Sequence, residues 1–134
     1  MSEKIIIDAT DGIMGRVASY AAKQALLGKE VIILNCEKLQ ITGRKRTTIE
    51  EYKIKRQRGG SSLRGPHFPK QAEKIMKRTV RGMLPYKQAR GLEAFKRILC
   101  YDGVPKEYES AKKITLVREL KARAISLGEL SKEI

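Results

Sequence analysis

The first 43 residues alternate between short runs of branched apolar side chains and an apolar pattern of helical period. The runs are residues 5–7 (Ile-Ile-Ile) and 31–34 (Val-Ile-Ile-Leu), and no polar residue interrupts them. Continuous runs of this kind are typical of strands covered on both faces in a parallel sheet. Between them, apolar positions recur three and four residues apart from Met14 to Leu26, and Gly28 ends the pattern. The order strand, helix, strand predicts a right-handed crossover unit.

Further apolar segments extend this unit into a sheet. Residues 39–42 predict a third strand, and residues 99–101 predict a last strand that is closed by a turn at Asp102. Asp11 precedes the first helix and is a candidate N-cap. We therefore expect the α/β class, with a small, mostly parallel sheet of about four strands that is flanked by helices on both faces and carries a basic loop extension. The length of 134 residues is that of one domain, so we expect a single domain over 1–134.

The centre of the chain predicts two helices separated by a loop. Thr47 and Glu50 form a capping-box pattern for a helix that runs to about Gln57. Residues 58–68 have no hydrophobic period and contain several glycines and serines, which predicts a loop. Pro69 suits the first position of the next helix.

The helix after Pro69 has two chemically different faces. Apolar and small residues repeat on one side, at Ala72, Ile75, Met76, Thr79, Val80 and Met83. Cations repeat on the other side, at Lys70, Lys74, Lys77, Arg78 and Arg81. The pattern predicts a helix over about 70–81 that packs one face on the core and presents five cations on the other.

The remaining segments predict three more helices. Residues 82–85 (Gly-Met-Leu-Pro) interrupt the basic helix, and helical spacing resumes over 87–98. Helical spacing appears again over 116–124. Ser126 and Glu129 form a second capping-box pattern, which predicts a short final helix.

The charges of the chain are segregated. There are 29 Lys and Arg against 15 Asp and Glu, which gives a net charge of +14 and a pI of about 10.0. Residues 44–106 contain eighteen of the basic residues and five of the acidic ones, whereas the flanking segments are nearly neutral. A pI above ~9 with the cations in one segment is typical of a nucleic-acid-binding protein. We therefore expect a neutral scaffold that presents a basic surface to nucleic acid.

The residue types of this segment indicate which kind of nucleic acid it binds. Arginine is frequent, and its planar fork suits phosphate. The chain has five Tyr, two Phe and no Trp, so it lacks the aromatic platform of modules that read single strands. We expect a structured nucleic acid as the partner, which the protein contacts through the sugar-phosphate backbone. His67 is a candidate for stacking on a base, although a histidine at a helix entrance is more often merely exposed.

The sequence offers little for catalysis. Gly12 and Gly15 lie between a strand and a helix but lack the third glycine of a dinucleotide fingerprint. They indicate a plain turn, or else a ribose-phosphate contact from Gly15 or Arg16. Asp8 and Asp11 are expected to converge at the end of the first strand, where capping and turn formation explain both. Since no Ser/His/Asp set or carboxylate pair stands elsewhere, we expect no enzymatic activity and no cofactor.

The cysteines and the single histidine argue against other classes. Cys36 and Cys100 are far apart in the sequence and each has apolar neighbours, so we expect two buried thiols and neither a disulfide framework nor a zinc site. His67 alone provides no His/Cys set for a metal ion. No apolar run approaches the ~18 residues of a membrane span, and the first residues show no signal-peptide pattern. We therefore expect a cytoplasmic protein.

Three motifs together resemble the universal ribosomal L-thirteen family of the large subunit, in its archaeal and eukaryotic form. They are 11–19 (Asp-Gly-Ile-Met-Gly-Arg-Val-Ala-Ser) with 27–29 (Leu-Gly-Lys), then 35–45, and 80–85 (Val-Arg-Gly-Met-Leu-Pro) with Gly91. The resemblance covers nearly the whole chain. The bacterial form has a glycine and His-Pro-His after the last strand, whereas Gly103 is followed here by Val104, Pro105 and Lys106. Contacts made by those histidines therefore do not transfer.

The resemblance implies a small parallel sheet flanked by helices, and a role in binding 23S-type rRNA and in folding and holding the large subunit. The implied partners are this rRNA and neighbouring ribosomal proteins, with no membrane and no small-molecule substrate. The candidate RNA-binding residues are Arg44, Lys45, Arg46, Lys53, Arg56, Arg58, Arg64, His67, Lys70, Lys74, Lys77, Arg78, Arg81, Lys87 and Arg90.

Two functions from other classes stay open at this point. An RNA-modifying enzyme on a Rossmann-like sheet is disfavoured by the missing glycine fingerprint and the missing catalytic set. A free nucleic-acid chaperone or DNA-compacting protein would bind duplex DNA as tightly as folded rRNA.

Overall fold

The computed structural model of the protein describes residues 4–57, 71–115 and 124–133. The elements in these ranges are β1 (Lys4–Asp8), α1 (Met14–Leu26), β2 (Glu30–Leu34), β3 (Gln40–Thr42), α2 (Lys45–Gln57), α3 (Ala72–Gly82), α4 (Ala89–Lys96), β4 (Ile98–Cys100), β5 (Ile114–Thr115), β6 (Ala124–Ser126) and α5 (Leu127–Glu133). Short 3₁₀ turns lie at Cys36–Lys38 and Lys106–Tyr108. No helix among the described residues is long and apolar enough to cross a membrane.

Four strands form one parallel sheet in the order β4-β2-β1-β5. β1 and β2 pair from Lys4 opposite Glu30 to Asp8 opposite Leu34. The α/β class and the parallel sheet of about four strands are thereby confirmed. The basic loop extension, predicted over 58–68, lies outside the described residues.

The strand β3 does not join this sheet. It pairs with β6 in a separate antiparallel ribbon, where Ile41 lies opposite Ile125. A single apolar residue between Gln40 and Thr42 gives β3 the alternating pattern of a half-exposed antiparallel strand. The expectation that the strand at residues 99–101 is the last one is wrong, because β5 and β6 follow β4 in the chain.

One face of the parallel sheet shares a hydrophobic core with α1, α3 and α4. From the strands, Ile7, Val31, Ile33 and Ile98 point into this core and are fully buried. The helices contribute Val17, Ala18, Ala21, Ala22, Ala25, Ala72, Ile75, Met76, Val80 and Ala94. Ile32 and Leu34 alternate to the opposite face and are buried as well, as predicted for a strand covered on both sides.

The predicted helix starts are wrong in three places. Asp11 is no N-cap: it has a φ of +58°, its amide donates to the Lys38 carbonyl oxygen, and Ile13 precedes α1 without a side-chain cap. α2 begins at Lys45, ahead of the expected Thr47 box. α3 begins at Ala72 rather than Pro69.

The C-terminal expectations have mixed outcomes. The short final helix is confirmed, and the Glu129 amide donates to Ser126 Oγ at 3.3 Å at the start of α5, which is one of the two hydrogen bonds of the predicted capping box. Ala124 was expected in a helix but lies in β6. α4 ends at Lys96, and Ile98 belongs to β4 instead of extending the helix. The apolar positions 116–120 lie outside the described residues.

The two cysteines are distant in the sequence but adjacent in space. Both thiols are free, and Cys36 is fully buried while Cys100 is half-buried. A hydrogen bond with the Cys100 thiol, together with burial, raises the pKa of Cys36 far above its ordinary value. Cys36 therefore remains a neutral thiol and acts as a small core residue.

Candidate nucleic-acid interface

Helix α2 carries the first group of exposed cations. Gly43, with a φ of +127°, turns the chain immediately before the helix. The Thr48 amide donates to the Arg44 carbonyl oxygen at 3.0 Å, and Thr48 itself is buried, which anchors the first turn. The cations exposed on and beside this helix are Arg44, Lys45, Arg46, Lys53 and Lys55.

Two of these cations have carboxylate neighbours. Lys45 Nζ lies 3.9 Å from Glu129 Oε2, and Arg46 Nε lies 3.3 Å from Glu50 Oε1. All four side chains are more than half exposed, and such surface pairs contribute only about 0–1 kcal/mol. A phosphate can therefore replace either carboxylate at little cost. Arg44 and Lys53 have no acidic partner among the described residues.

A cleft of about 430 Å³ lies along α2. It is lined by Lys45, Arg46, Ile49, Glu50 and Lys53. Three of the five lining residues are cations and one is an anion, so the residues around the cleft carry a net positive charge.

Helix α3 presents the buried stripe that its sequence predicts. Ala72, Ile75, Met76 and Val80 are all buried. Met83 was expected to continue the stripe, but it lies beyond the end of α3 and is 42% exposed. On the outer side of the helix, Lys74 and Arg81 are exposed.

Lys77 does not lie on the outer face as expected. Its ammonium group donates hydrogen bonds to the carbonyl oxygens of Phe95, at 3.0 Å, and of Ile98, and it lies 4.3 Å from the centroid of the Phe95 ring. Burial lowers the pKa of Lys77 below its ordinary value. The Phe95 carbonyl lies in the last turn of α4 and the Ile98 carbonyl at the start of β4, and Lys77 supplies a donor to both from the neighbouring helix. Lys77 thus joins α3 to the α4–β4 junction.

Arg78 is also less exposed than its neighbours on α3. It is half-buried and interacts with other groups of the protein. The outward cations of α3 among the described residues are therefore Lys74 and Arg81.

The turn between α3 and α4 exposes an aromatic ring beside a cation. The Arg81 guanidinium carbon lies 5.0 Å from the centroid of the Tyr86 ring, a cation–π distance. Tyr86 is 40% exposed, whereas Leu84 beside it is buried. The turn is thus anchored through Leu84 and presents Tyr86 to solvent.

Two further cations follow this ring. Lys87 and Arg90 are exposed, and Arg90 Nε donates to Gln88 Oε1 at 3.2 Å. This neutral partner leaves the charge of Arg90 available to an anion.

Comparison with known proteins identifies the family of this chain. Residues 2–107 match the family model of ribosomal protein L13. The chain belongs to the ribosomal protein L13 family. It is 46% identical over 135 residues to the large ribosomal subunit protein uL13 of Methanosarcina barkeri, and 43% identical over 134 residues to that of Methanococcoides burtonii, with 96% of both chains covered in each case. The uL13 protein of Methanopyrus kandleri is 42% identical over 142 residues, which cover 98% of this chain and 87% of the relative.

The motif that carries the L13 resemblance builds the α3–α4 turn. A Cβ atom added to Gly91 would lie 2.0 Å from the Pro85 carbonyl oxygen and 2.3 Å from its carbon. Only glycine therefore allows α4 to approach the turn this closely. The Gln88 amide also donates to the Pro85 carbonyl oxygen, at 2.9 Å. In this L13 chain the motif thus fixes the position of Tyr86.

Several predicted RNA-binding residues lie where the structure describes no side chain. These are Arg56, Arg58, Arg64, His67 and Lys70. Their contacts with RNA stay predictions, as do those of the exposed residues.

The two aspartates near the end of β1 have different surroundings. Asp8 Oδ1 accepts hydrogen bonds from the amide and hydroxyl of Thr10 and from Asn35 Nδ2. Burial alone would raise the pKa of Asp8, but these hydrogen bonds outweigh it and lower the pKa. Asp11 is exposed, and its amide donates to the Lys38 carbonyl oxygen. Among the described residues, no group of three or more His, Cys, Asp or Glu is placed to hold a metal ion.

The glycines before α1 form a turn. The Gly12 amide donates to the Ala9 carbonyl oxygen at 2.9 Å, and the Gly12 carbonyl oxygen accepts from the Gln40 amide at 2.8 Å. A Cβ atom on Gly12 would lie 2.9 Å from Val17 Cγ2, so this glycine serves close packing. Gly15 and Arg16 are exposed, and a ribose-phosphate contact from them stays a prediction.

Tyr86 is the residue of this surface that sequence reasoning missed. The sequence does hold a signal for it: Tyr86 follows Pro85 within residues 74–92, a segment that contains six cations and no acidic residue. The other unforeseen contact is structural: Arg97 Nη1 donates to the Ala25 carbonyl oxygen at 3.0 Å and caps the end of α1.

Proposed function

We propose that this L13 family member is a structural constituent of the large ribosomal subunit that binds 23S-type rRNA and supports subunit assembly in the cytoplasm. Its partners in this proposal are the rRNA and neighbouring ribosomal proteins. The observation that carries the proposal is the identity of 42–46%, over nearly the whole chain, to proteins named large ribosomal subunit protein uL13.

The distribution of exposed cations supports rRNA as the partner. Arg44, Lys53, Lys74, Lys87 and Arg90 are exposed, and all belong to the one basic segment, residues 44–106. Cations that are concentrated in one segment and held on helices or directly beside them neutralise phosphates at fixed positions, which suits a folded RNA.

The proposal treats residues 1–134 as one non-enzymatic domain with no cofactor. The hydrogen bonds of Asp8 and Gly12 support this, because both residues are engaged in the turn between β1 and α1. An RNA-modifying enzyme has no comparable support from the described residues.

The test neutralises exposed cations of the interface and compares them with cations elsewhere. The interface variant replaces Lys53, Lys74 and Lys87 with Gln, and the control variant replaces Lys4, Lys112 and Lys132, which are also exposed. Binding to a transcribed large-subunit rRNA is measured by filter retention from ~50 to ~200 mM salt. The slope of log affinity against log salt is expected to fall by roughly one unit for each phosphate contact removed by the interface variant.

The control variant is expected to bind like the parent, and both variants are expected to melt within a few degrees of it because exposed charges contribute little to folding. Equal affinity and equal salt slope for the interface variant and the parent would contradict the proposed surface. Failure of the parent to bind rRNA more tightly than an unrelated RNA would contradict the proposed function itself.

A further inference from the structure

We propose that Tyr86, with Arg81 across its ring, is a stacking platform for one unpaired base of the bound RNA. The inference rests on the proposed function and adds a direct contact with a base to the backbone contacts of the cations. It follows from the geometry of the α3–α4 turn, its charge and its rigidity.

The geometry is that of a ring presented to solvent with a cation beside it. Arg81 lies 5.0 Å from the centroid of the Tyr86 ring, and 40% of the surface of Tyr86 remains exposed. In RNA complexes, unstacked bases are held on aromatic faces and on arginine planes. Tyr86 and Arg81 supply both surfaces in one place.

The platform is held rigidly before any RNA is bound. Leu84 is buried, and the Tyr86 amide donates to the Leu84 carbonyl oxygen at 2.8 Å. Gly91 lets α4 pack directly against the Pro85 backbone. A contact surface that is already ordered loses less conformational entropy on binding, so more of the stacking energy appears as affinity.

The charge around the platform favours RNA over a protein partner. Residues 74–92 contain six cations and no acidic residue, and Arg81, Lys87 and Arg90 are exposed. A base that reaches Tyr86 brings its own phosphate and those of its neighbours into this cationic field. The exposed apolar residues nearby, such as Met83, lie inside the same field.

The segment that contains the platform offers one aromatic ring for stacking rather than a series of rings. Between Phe68 and Phe95, Tyr86 is the only aromatic residue of the sequence. A single ring suits one nucleotide that is extruded from a loop or bulge of a folded RNA, whereas single-strand binders stack several successive bases. The inference therefore agrees with a structured partner.

The first experiment measures rRNA binding by the full-length variants Tyr86→Leu and Tyr86→Phe, with Leu92→Ala as the matched control. Leu92 is 46% exposed in the same segment and is aliphatic. Tyr86→Leu is expected to weaken binding roughly 5- to 150-fold, the loss typical of removing one base–aromatic stack. Tyr86→Phe and Leu92→Ala are expected to stay within about twofold of the parent. The salt slope of Tyr86→Leu is expected to equal that of the parent, since no charge is removed.

The second experiment locates the contact directly in the unaltered protein. The complex with the transcribed rRNA is crosslinked with ultraviolet light and digested with trypsin, which releases residues 82–87 (Gly-Met-Leu-Pro-Tyr-Lys) as one peptide. A nucleotide adduct on this peptide is expected by mass spectrometry, and it is expected to disappear in Tyr86→Leu.

Three results would overturn the inference while leaving the proposed function intact. The first is that Tyr86→Leu binds rRNA with the affinity of the parent while the interface variant, in which Lys53, Lys74 and Lys87 are replaced with Gln, loses binding. The second is an equal loss for Tyr86→Phe and Tyr86→Leu, which would assign the effect to the hydroxyl. The third is normal RNA binding by Tyr86→Leu with reduced incorporation into subunits on a sucrose gradient, which would assign the ring to a protein neighbour.

Discussion

At the scale of single residues, Lys77 shows that the place of a cation in a helical pattern does not determine its role. Its ammonium group serves two carbonyl oxygens and the Phe95 ring, so it contributes to the fold rather than to the outer surface. Lys77→Met keeps the length and apolar stem of the side chain but removes the donor. We expect a loss of roughly 1–3 kcal/mol in the free energy of unfolding, the cost of leaving buried polar groups unpaired. Urea unfolding measures it.

Lys74→Met is the matched control for this prediction. Lys74 lies three residues earlier on the same helix and is exposed, so its replacement is expected to change the free energy of unfolding by no more than about 0.5 kcal/mol. Similar stabilities for the two variants would show that Lys77 does not support the α4–β4 junction.

Asp8 gives the fold a predictable dependence on acid. Its pKa is lowered in the folded protein, so the ionised carboxylate contributes stability above the pKa of the unfolded chain, about 3.8, and this contribution is lost as the pH falls through the lower folded value. Asp8→Asn cannot ionise, yet its amide oxygen can accept the same hydrogen bonds. We expect the stability advantage of the parent over Asp8→Asn to shrink below about pH 4. Urea midpoints at pH 6, 4 and 3 measure it, and a constant gap across that range would refute the prediction.

At the scale of elements, the packing of α4 against the α3–α4 turn depends on one glycine. In Gly91→Ala the added methyl group would overlap the backbone of Pro85, which no side-chain rotation can relieve. We expect a loss of about 1–3 kcal/mol or more in the free energy of unfolding. Gly82→Ala is the control: no heavy atom lies within 4 Å of the new Cβ atom, and alanine in a helix is expected to stabilise by roughly 0.4–1 kcal/mol. Two variants with equal urea midpoints would contradict this role of Gly91.

The type and bounds of an element were predictable where the spacing of apolar residues reflects burial. They were less predictable where a contact with a distant part of the chain determines the local structure. The stripe through Ile75, Met76 and Val80 follows from helical period alone, as does the buried run of β2. The start of α2 does not, because burial of Thr48 and the turn at Gly43 place it ahead of the capping-box pattern. Ala124 lies in a strand because β6 pairs with β3, more than 80 residues earlier in the chain.

At the scale of the whole molecule, the segregation of charge indicated the basic segment but not the direction of each side chain. The inward course of Lys77 depends on carbonyl oxygens of residues 95 and 98, which lie on other elements. The exposure of Tyr86 depends on the anchoring of Leu84 and on Gly91. Such contacts join distant parts of the chain, so they cannot be predicted from the pattern of charges and apolar positions.

The arrangement of cations on rigid elements also distinguishes a ribosomal constituent from a nucleic-acid chaperone. A chaperone that acts through net charge alone would bind any polyanion equally, because counterion release does not depend on shape. Here the cations lie on α2, on α3 and beside Tyr86, each held by buried neighbours such as Thr48 and Leu84.

We expect the protein to bind its rRNA at least a hundredfold more tightly than a 30-bp DNA duplex at ~150 mM salt, since the affinity for specific sites exceeds that of non-specific binding by about 10³–10⁷. Competition filter binding measures the ratio, which is expected to narrow as the salt concentration falls and the non-specific term grows. Equal dissociation constants for the two nucleic acids at ~150 mM salt would favour the chaperone, since binding would then depend on the charge of +14 and not on where the fold places it.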